Sequence, residues 1–486
     1  MSANLYIALI YAFLMAAGVT GLFIVPRSLF LSLIFAFFVV VGAAVPFVAA
    51  LGYLWVDTFK PQDVAYSILS AIPVAQVVAG VAIFSYLVLD GRSPPRFTLA
   101  TLLTLALAVW VTLTTTWAVS PEAAWNKWDW AFKTILSSAF VPLFFRSRIQ
   151  IEAFIQLYVF TLAVHFGPVG LKTLVSGGGY GRELGVLSGA SGLGEGATLA
   201  AVSAMLIPLM LFLRKHTLII PKSRWTDIGY IGLIVVAIAA LIGTFERTGL
   251  VGLLVVGLLS WLRAKRKVLF GTVCAIVAVA VIFTTSAAWN ERMSTIKAYD
   301  VESSSLTRIL VWRWTLDFAA EHPLGGGFDS YRTDRITFPP TPLEPEGHTR
   351  NAVAFHSIYF EYLGEQGWVG LGLFGGLIAT SFAYLLGVAR RTRRIAELQW
   401  ARDLALDLGI ALATLLACAA FIGIAFQPML YYLFALSVCL REHVRRTLLL
   451  SNTPAPRPFA PRPEWLIATQ AAARASPIAQ RKPADG

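Results

Sequence analysis

Residues 196–213 read GATLAAVSAMLIPLMLFL, a run of 18 residues without a charged side chain. An α-helix rises about 1.5 Å per residue, so this run would be about 27 Å long, close to the thickness of a bilayer's hydrocarbon core. Lipid offers no hydrogen bonds to the backbone, so a run of this kind must be helical. It ends in the basic segment 214–224. The stretch therefore predicts a membrane-spanning helix with a positively charged rim at one end.

Comparable apolar runs recur along the chain and predict 12 or 13 spanning helices. Of the 486 residues, 57% are hydrophobic and 14% are charged, unlike the composition of soluble domains. The run 29–55 contains Pro46 and is either one long helix or a broken pair, and 428–440 is short enough to be tilted or re-entrant. The fold class is therefore an all-α polytopic membrane protein. The predicted spans are 5–25, 29–55, 68–90, 97–118, 131–146, 151–174, 196–213, 226–244, 249–262, 268–286, 366–388, 405–427 and 428–440.

The basic residues gather in short segments between the spans, which indicates the orientation of the chain. Segments 146–148, 214–224, 263–267 and 390–394 fall on one side if the spans alternate, and cytoplasmic loops are the ones enriched in Lys and Arg. The net charge of +12 is therefore explained by topology and not by a nucleic-acid partner. The stretches 56–67, 119–130, 176–195 and 287–365 then face outward. We expect a multi-pass protein of a bacterial inner membrane whose active site faces the periplasm.

The same pattern divides the chain into five regions. An N-terminal membrane region spans 1–120, central membrane helices span 121–286, and C-terminal membrane helices span 366–440. The periplasmic loop 287–365 contains SSSLTRILVWRWTLDFAAE at 303–321, which has the spacing of an amphipathic helix and is ended by Pro323 and the glycines after it. The tail 441–486 is rich in Pro, Ala and Arg, which predicts a disordered cytoplasmic segment.

Several common catalytic motifs are missing from the sequence. No GxxxxGK[ST] run, HExxH, CxxC or cytoplasmic Asp-x-Asp pair occurs, so a P-loop ATPase or a metal-bound nucleotide-sugar site is not indicated. Cys274, Cys418 and Cys439 all lie in apolar runs, as small core residues do. We therefore expect no metal and no cofactor, and a substrate that is already activated.

Three arginines are candidate phosphate ligands. Arg247 lies at a junction between two spans, where an ionisable residue is expensive and usually functional. Arg308 and Arg313 lie on the predicted loop helix, and one guanidinium group can donate hydrogen bonds to two phosphate oxygens at once. Two simpler interpretations are an interfacial arginine that reaches the headgroups for Arg247, and a solvated helix face for the other two.

His356 is the sharpest candidate for proton transfer. It lies where the outward loop re-enters the membrane, and its side chain can take up or release a proton near neutral pH. Tyr359 and Glu361 follow on the same segment and are candidate substrate ligands. The alternative is a structural histidine, which is the more common role.

Two further outward stretches offer possible substrate contacts. The Gly-rich segment around Arg182 could wrap a phosphate or a sugar, or be a flexible linker. In WNKWDW, at 125–130, Lys127 is surrounded by three tryptophans. That arrangement is typical of an interfacial aromatic belt, with sugar stacking as the alternative.

The sequence resembles the O-antigen ligases. In HSIYFEYLGEQGWVG, His356, Ser357, Gly367 and Gly370 occupy the fixed positions of the motif of that family. PEAAWNKWDWAFK, GTFERTG and RILVWRWTLDFAAEHPLGGGF are similar, in the same order, to one subgroup, the O-glycosylation ligases associated with exosortase systems, and GYLWVDTFKPQ followed by AYSILSAIP resembles its N-terminal domain. The chain departs from that subgroup at residues 246–248 and 195–197.

The resemblance implies a fold like that of the metal-independent C-type glycosyltransferases. It implies transfer of a glycan from an undecaprenyl-diphosphate-linked donor to an acceptor hydroxyl on a glycan, a lipid or a protein, with His356, Arg308 and Arg247 as catalytic residues. Because no residue stands out as a covalent nucleophile, we expect inversion at the anomeric carbon. A polymerase that joins lipid-linked repeat units shares these motifs and is an open alternative. A lipid-linked oligosaccharide transporter is the alternative from another class, although the charges lie at the outer rim and no internal repeat is evident.

Overall fold

The computed structural model describes residues 27–65, 68–92, 94–176, 193–269, 271–272, 275, 303–338 and 348–452. In these residues helices dominate, and one small antiparallel hairpin lies between them. Residues 444–452 belong to a second short unit of the chain, 444–486. The helices are α1 Arg27–Ala44, α2 Pro46–Phe59, α3 Pro61–Val64, α4 Ile68–Ala71, α5 Val74–Leu89, α6 Leu99–Thr116, α7 Pro121–Phe144, α8 Arg148–Ser176, α9 Gly196–His216, α10 Arg224–Gly243, α11 Arg247–Arg263, α12 Ser303–Glu321, α13 Ile358–Arg391, α14 Gln399–Ala419 and α15 Pro428–Asn452, with 3-10 turns at Ser330–Thr333 and Ala396–Leu398 and strands β1 Arg335–Phe338 and β2 His348–Asn351.

The prediction of an all-α polytopic membrane protein is confirmed. In the described part of the chain, five helices are long and apolar enough to cross a bilayer, namely α6, α8, α9, α10 and α13, and α1, α2 and α5 are shorter apolar helices. The predicted span 5–25 and most of 268–286 lie outside the described residues. The total of 12 or 13 spans therefore stays a prediction.

Prolines decide where two of the predicted spans are interrupted. The run 29–55 is a broken pair, because α1 ends at Ala44 and α2 starts with Pro46. The run 68–90 is also divided, into α4 and α5, with Pro73 at the N-cap of α5. Proline has no backbone N–H and fixes φ, so it is tolerated at the start of a helix but not in its interior without a kink.

Several helix boundaries differ from the sequence prediction. Helix α7 begins at Pro121, so WNKWDW forms its first turns and does not precede a span that starts at 131. Helix α14 ends at Ala419, eight residues before the predicted end of that span. Helix α15 is not a short element that ends at 440, because it continues for 25 residues to Asn452. It passes through residue 441, where the tail was predicted to begin.

Helix α9, which contains the run GATLAAVSAMLIPLMLFL, lies at the centre of the bundle. It packs against α8, α10, α11 and α14, and nearly all of its side chains are buried. Helix α11 can approach α9 closely only because residue 252 is glycine, since a Cβ added to Gly252 would lie 2.7 Å from the Cβ of Ala204 on α9. Cys418 on α14 packs at the same crossing, and Cys418 and Cys439 are buried and not disulfide-bonded, as expected.

The basic segments meet at one end of the bundle, which we call the basic end. The Arg148 guanidinium donates to the backbone oxygen of His216 (3.2 Å) and lies over the Trp400 ring. Lys215 and Arg263 both pair with Asp403 of α14. The prediction that these segments share one side is therefore consistent with the packing. The 17 residues of α11 span about 25 Å, so Arg247 lies at the opposite end.

Helix α12 coincides with the predicted loop helix at 303–321. Its sides do not divide into polar and apolar faces, however. Thr307, Val311 and Thr315 are buried, whereas Ile309 and Leu316 are about half exposed. The strands that follow pair in register from Arg335 with Asn351 to Phe338 with His348.

Candidate functional site

Two of the glycine-rich segments interlock at the end of the bundle opposite the basic end. Helix α13 is kinked at Gly367, whose φ and ψ are 65° and −167°. A Cβ at this residue would lie 2.4 Å from the backbone nitrogen of Gly325, which itself has a φ of 88°. The Gly326 N–H donates to the Gly364 oxygen at 3.0 Å. Glycine is therefore required on both sides of a backbone-to-backbone contact.

His356 lies beside this contact, two residues before α13. Its φ of 54° is left-handed, which is uncommon outside glycine. The neighbouring Phe355 oxygen accepts a hydrogen bond from Trp312 Nε1 at 2.9 Å. The Trp312 ring also stacks on Phe360, with 5.0 Å between the ring centroids. Helix α12, which carries Arg308 one turn before Trp312, is thereby held against the segment of His356.

Arg308 and the junction of Arg247 approach a common neighbour, Glu195, at the N-cap of α9. Burial raises the pKa of the Glu195 carboxyl and the charge of Glu246 adds to the rise, whereas a hydrogen bond from Thr198 and the charge of Arg308 lower the pKa. Arg247 follows Glu246 directly as the first residue of α11. Arg308 and the turn before Arg247 therefore lie within electrostatic range of one carboxylate. The sequence had singled out Glu195 only as a departure from the subgroup.

Lys127 and Glu361, both predicted to bind substrate, contact each other in a buried ionic cluster. Lys127 Nζ lies 2.7 Å from Glu361 Oε1, 2.8 Å from Glu365 Oε1 and 3.6 Å from Asp329 Oδ1. The exposed fractions of the Lys127, Glu361 and Glu365 side chains are 13%, 8% and 0%. The ammonium charge is thus opposed by three carboxylates. Glu361 and Glu365 lie four residues apart and so share one helix face, but nothing in the sequence pointed to their pairing with Lys127 or to Asp329.

Glu361 lies on the side of this cluster that faces the backbone of His356, with one loop between them. Its Oε2 accepts a hydrogen bond from the Ala425 N–H at 3.1 Å. A Cβ added to Gly423 would lie 3.3 Å from that same oxygen and 4.0 Å from the backbone nitrogen of His356. The loop between α14 and α15 therefore packs between the carboxylate and the histidine backbone.

The other predicted site residues are placed differently. Tyr359 is half-buried, and its hydroxyl donates to the Leu416 oxygen at 3.1 Å, so it joins α13 to α14. Arg313 is exposed, on the opposite side of α12 from the buried Val311. Arg182 lies outside the described residues. Within the ranges described above, no group of three His, Cys, Asp or Glu side chains is arranged to hold a metal ion.

Asp334 is a buried acid on the loop side of the site. Its backbone oxygen accepts a hydrogen bond from the Ala352 N–H at 3.1 Å, four residues before His356. Burial raises the pKa of its carboxyl to about 6. The ionised Asp334 carboxylate therefore destabilises the folded state.

Two family models match the chain. Residues 232–375 match the O-antigen ligases, and residues 27–218 match a family of unknown function (DUF5935). No curated protein matches the sequence. The first match contains Arg247, Arg308 and His356, whereas Lys127 lies in the second. Neither match tests the resemblance to the exosortase-associated subgroup, which stays a prediction. The match over residues 232–375 supports a place for this chain in the O-antigen ligase superfamily.

Proposed function

We propose that this protein transfers a glycan from undecaprenyl diphosphate to an acceptor hydroxyl at the periplasmic face of a bacterial inner membrane. The O-antigen ligase match supports glycan transfer in polysaccharide assembly. The observation that carries the proposal is the hydrogen bond from Trp312 to the Phe355 oxygen, because it brings the helix of Arg308 against the segment of His356.

In this proposal the two arginines hold the diphosphate of the donor. Arg308 approaches the turn before Arg247 near Glu195, at the end of α11 that lies away from the basic end. Guanidinium groups donate paired hydrogen bonds to phosphate oxygens and keep their charge at all relevant pH values. They would therefore bind the donor and stabilise the charge that develops on the diphosphate as the glycosidic bond breaks.

His356 acts on the acceptor. The acceptor oxygen attacks the anomeric carbon, its proton passes to the imidazole, and the bond from that carbon to the diphosphate breaks, so that undecaprenyl diphosphate leaves. A single displacement of this kind inverts the anomeric centre. The proposed reaction uses no metal, because the two guanidinium groups supply the positive charge.

Reconstituted transfer tests the proposal. The purified chain, in detergent or vesicles, receives a lipid-linked glycan and in turn lipid A core, a carrier protein or a second lipid-linked repeat unit. Transfer that continues in excess EDTA supports the proposal, and the productive acceptor separates a ligase from a polymerase. Transfer that EDTA abolishes and magnesium or manganese restores contradicts it, as does ATP-independent movement of the donor across vesicles without transfer.

The orientation is tested with cysteine variants. Arg335 and Lys222 are both exposed, the first near the site and the second in a basic segment. In intact spheroplasts an impermeant maleimide should label Arg335→Cys and not Lys222→Cys, and lysis should expose both. The reverse pattern would contradict a periplasmic site.

A further inference from the structure

An open pocket of about 580 Å³ lies beside the ionic cluster of Lys127. One wall is the first three turns of α7, where side chains four residues apart share a face. The other wall is the turn that contains Asp329 and Arg332, which pair at 3.1 Å. The lining residues are Glu122, Ala123, Asn126, Lys127, Trp130, Asp329 and Arg332.

The lining combines one flat apolar surface with several hydrogen-bonding groups. The Trp130 ring is 39% exposed. Asn126 supplies an amide that both donates and accepts, the two carboxylates accept, and Arg332 donates. A pyranose ring has an apolar C–H face, which packs on an indole, and a rim of hydroxyls, which need both donors and acceptors. We infer that this pocket binds a saccharide unit of a glycan, an inference that rests on the proposed function and adds its glycan-binding subsite.

The charges of the pocket favour a sugar over a phosphate. Lys127 is already opposed by Glu361 and Glu365, and Arg332 is paired with Asp329. Lys127 is mostly buried and Arg332 is exposed, but the charge of each is already paired and so attracts a second anion less strongly than a free cation would. Hydroxyl groups, by contrast, hydrogen-bond to carboxylates and amides without a charge penalty.

The position of the pocket fits a subsite of the proposed reaction. Its floor, Lys127, contacts Glu361, and the loop at Gly423 separates Glu361 from the backbone of His356. A glycan bound on Trp130 would therefore lie on the side of the ionic cluster away from the histidine. Its walls come from both family matches, since α7 belongs to 27–218 and the Asp329 turn to 232–375.

Saturation-transfer NMR on the purified full-length chain tests this inference. One probe is the free oligosaccharide released by mild acid from the polyprenyl-linked pool of the source cells, and the other is the oligosaccharide portion of their acceptor. Both lack the diphosphate. The wild-type protein should transfer saturation to ring protons of at least one probe. If binding of the donor glycan depends on Trp130, the pocket is a donor site, and if binding of the acceptor oligosaccharide depends on Trp130, it is an acceptor site.

The variants are Trp130→Ala and Asn126→Ala, with Trp125→Ala as the matched control. Trp125 lies on the same helix and is 44% exposed, but it does not line the pocket. Affinity should fall about 3–10-fold for Trp130→Ala, as expected for one lost aromatic contact, and stay unchanged for Trp125→Ala. Exposed Asn126 provides a second variant that does not disturb folding.

No saturation transfer in wild type, or equal losses for Trp130→Ala and Trp125→Ala, would overturn the inference. The outcome is separable from that of the proposed function. If the free glycan binds through Trp130 but the lipid diphosphate donor supports no transfer, the proposed function fails and the pocket assignment stands.

Discussion

The two ends of the bundle treat their charged residues differently. At the basic end, long helices meet with regular backbone, and Asp403 of α14 pairs with Lys215, His216 and Arg263 from two other helices. At the other end, helices stop short, loops return between them, and a single lysine is surrounded by three carboxylates. The first arrangement joins helices across the rim. The second holds charges inside a cavity wall, which costs folding free energy and indicates function.

Of the four non-glycine residues with left-handed φ among those described, one, Lys60, follows α2, and three lie at the site end. Phe245, Asp329 and His356 have left-handed φ values of 54°, 56° and 54°. Each belongs to the site end: Phe245 precedes the Glu246–Arg247 junction, Asp329 contacts Lys127, and His356 is the candidate base. A non-glycine residue in this region costs about 1–3 kcal/mol, and such residues concentrate at functional sites. Left-handed backbone therefore lies close to Arg247 and Lys127 and at His356 itself.

Removing Lys127 should have the largest effect on stability. Lys127→Met leaves Glu361 and Glu365 buried without their cation, and loss of one member of a buried ionic cluster costs about 3–5 kcal/mol. The thermal midpoint in detergent should fall sharply. Lys133→Met is the matched control on the same helix, because its pair with Asp129 is exposed and worth about 0.3–0.5 kcal/mol. Equal midpoints for the two variants would show that the cluster does not stabilise the fold.

Gly367→Ala should have the next largest effect. A Cβ there would meet backbone atoms of Gly325 and Leu324 at 2.4 Å, with φ and ψ in a region reserved for glycine, at a cost of about 2–4 kcal/mol. Gly372 lies on the same helix with open space around it, so Gly372→Ala should leave the midpoint unchanged or raise it slightly. Equal thermal midpoints and equal rates of glycan transfer for the two variants would show that the kink at Gly367 does not require glycine.

Replacing Asp334 should have a smaller effect on the thermal midpoint, and that effect should depend on pH. Its pKa is raised to about 6 in the folded protein, so the folded state binds the proton more tightly than the unfolded chain. The charged carboxylate therefore destabilises the fold above pH 6, and this penalty fades as the pH falls below that value. Asp334→Asn should raise the thermal midpoint at pH 8 and have little effect at pH 4. A gain that is independent of pH would show that titration of Asp334 is not its cause.

The sequence was most informative where a physical rule acts locally. An uncharged run such as 196–213 must be helical in lipid, and α12 began and ended where its Ser-rich start and Pro323 placed it. The rule of positive cytoplasmic loops grouped residues that do meet around Asp403. The length of α15 was missed because Arg441 and the residues after it look like a tail, although charges at the end of a helix need not end it.

The site was less predictable, because its contacts join distant segments. Lys127 was selected for its tryptophan neighbours, yet its partners Glu361 and Glu365 come from a helix more than 200 residues away. The role of Glu195 depends on how α9 starts beside the turn that precedes Arg247. Local pattern cannot give such pairings. They follow only once the helices have been packed.

Binding and turnover in three variants test the proposed roles of the two arginines and of the histidine. Affinity for undecaprenyl diphosphate and the rate of glycan transfer are measured for Arg247→Ala, Arg308→Ala and His356→Ala, with thermal midpoints as the folding control. Each arginine variant should lose about 1.5–3 kcal/mol of diphosphate binding, and Arg308→Lys should not restore it because an ammonium cannot pair with two oxygens. His356→Ala should bind the lipid as wild type does and lose about 10²–10⁴-fold in turnover. A folded His356→Ala with near-normal transfer would contradict the role of the histidine as the base, and arginine variants with unchanged lipid affinity would contradict a diphosphate site at Arg247 and Arg308.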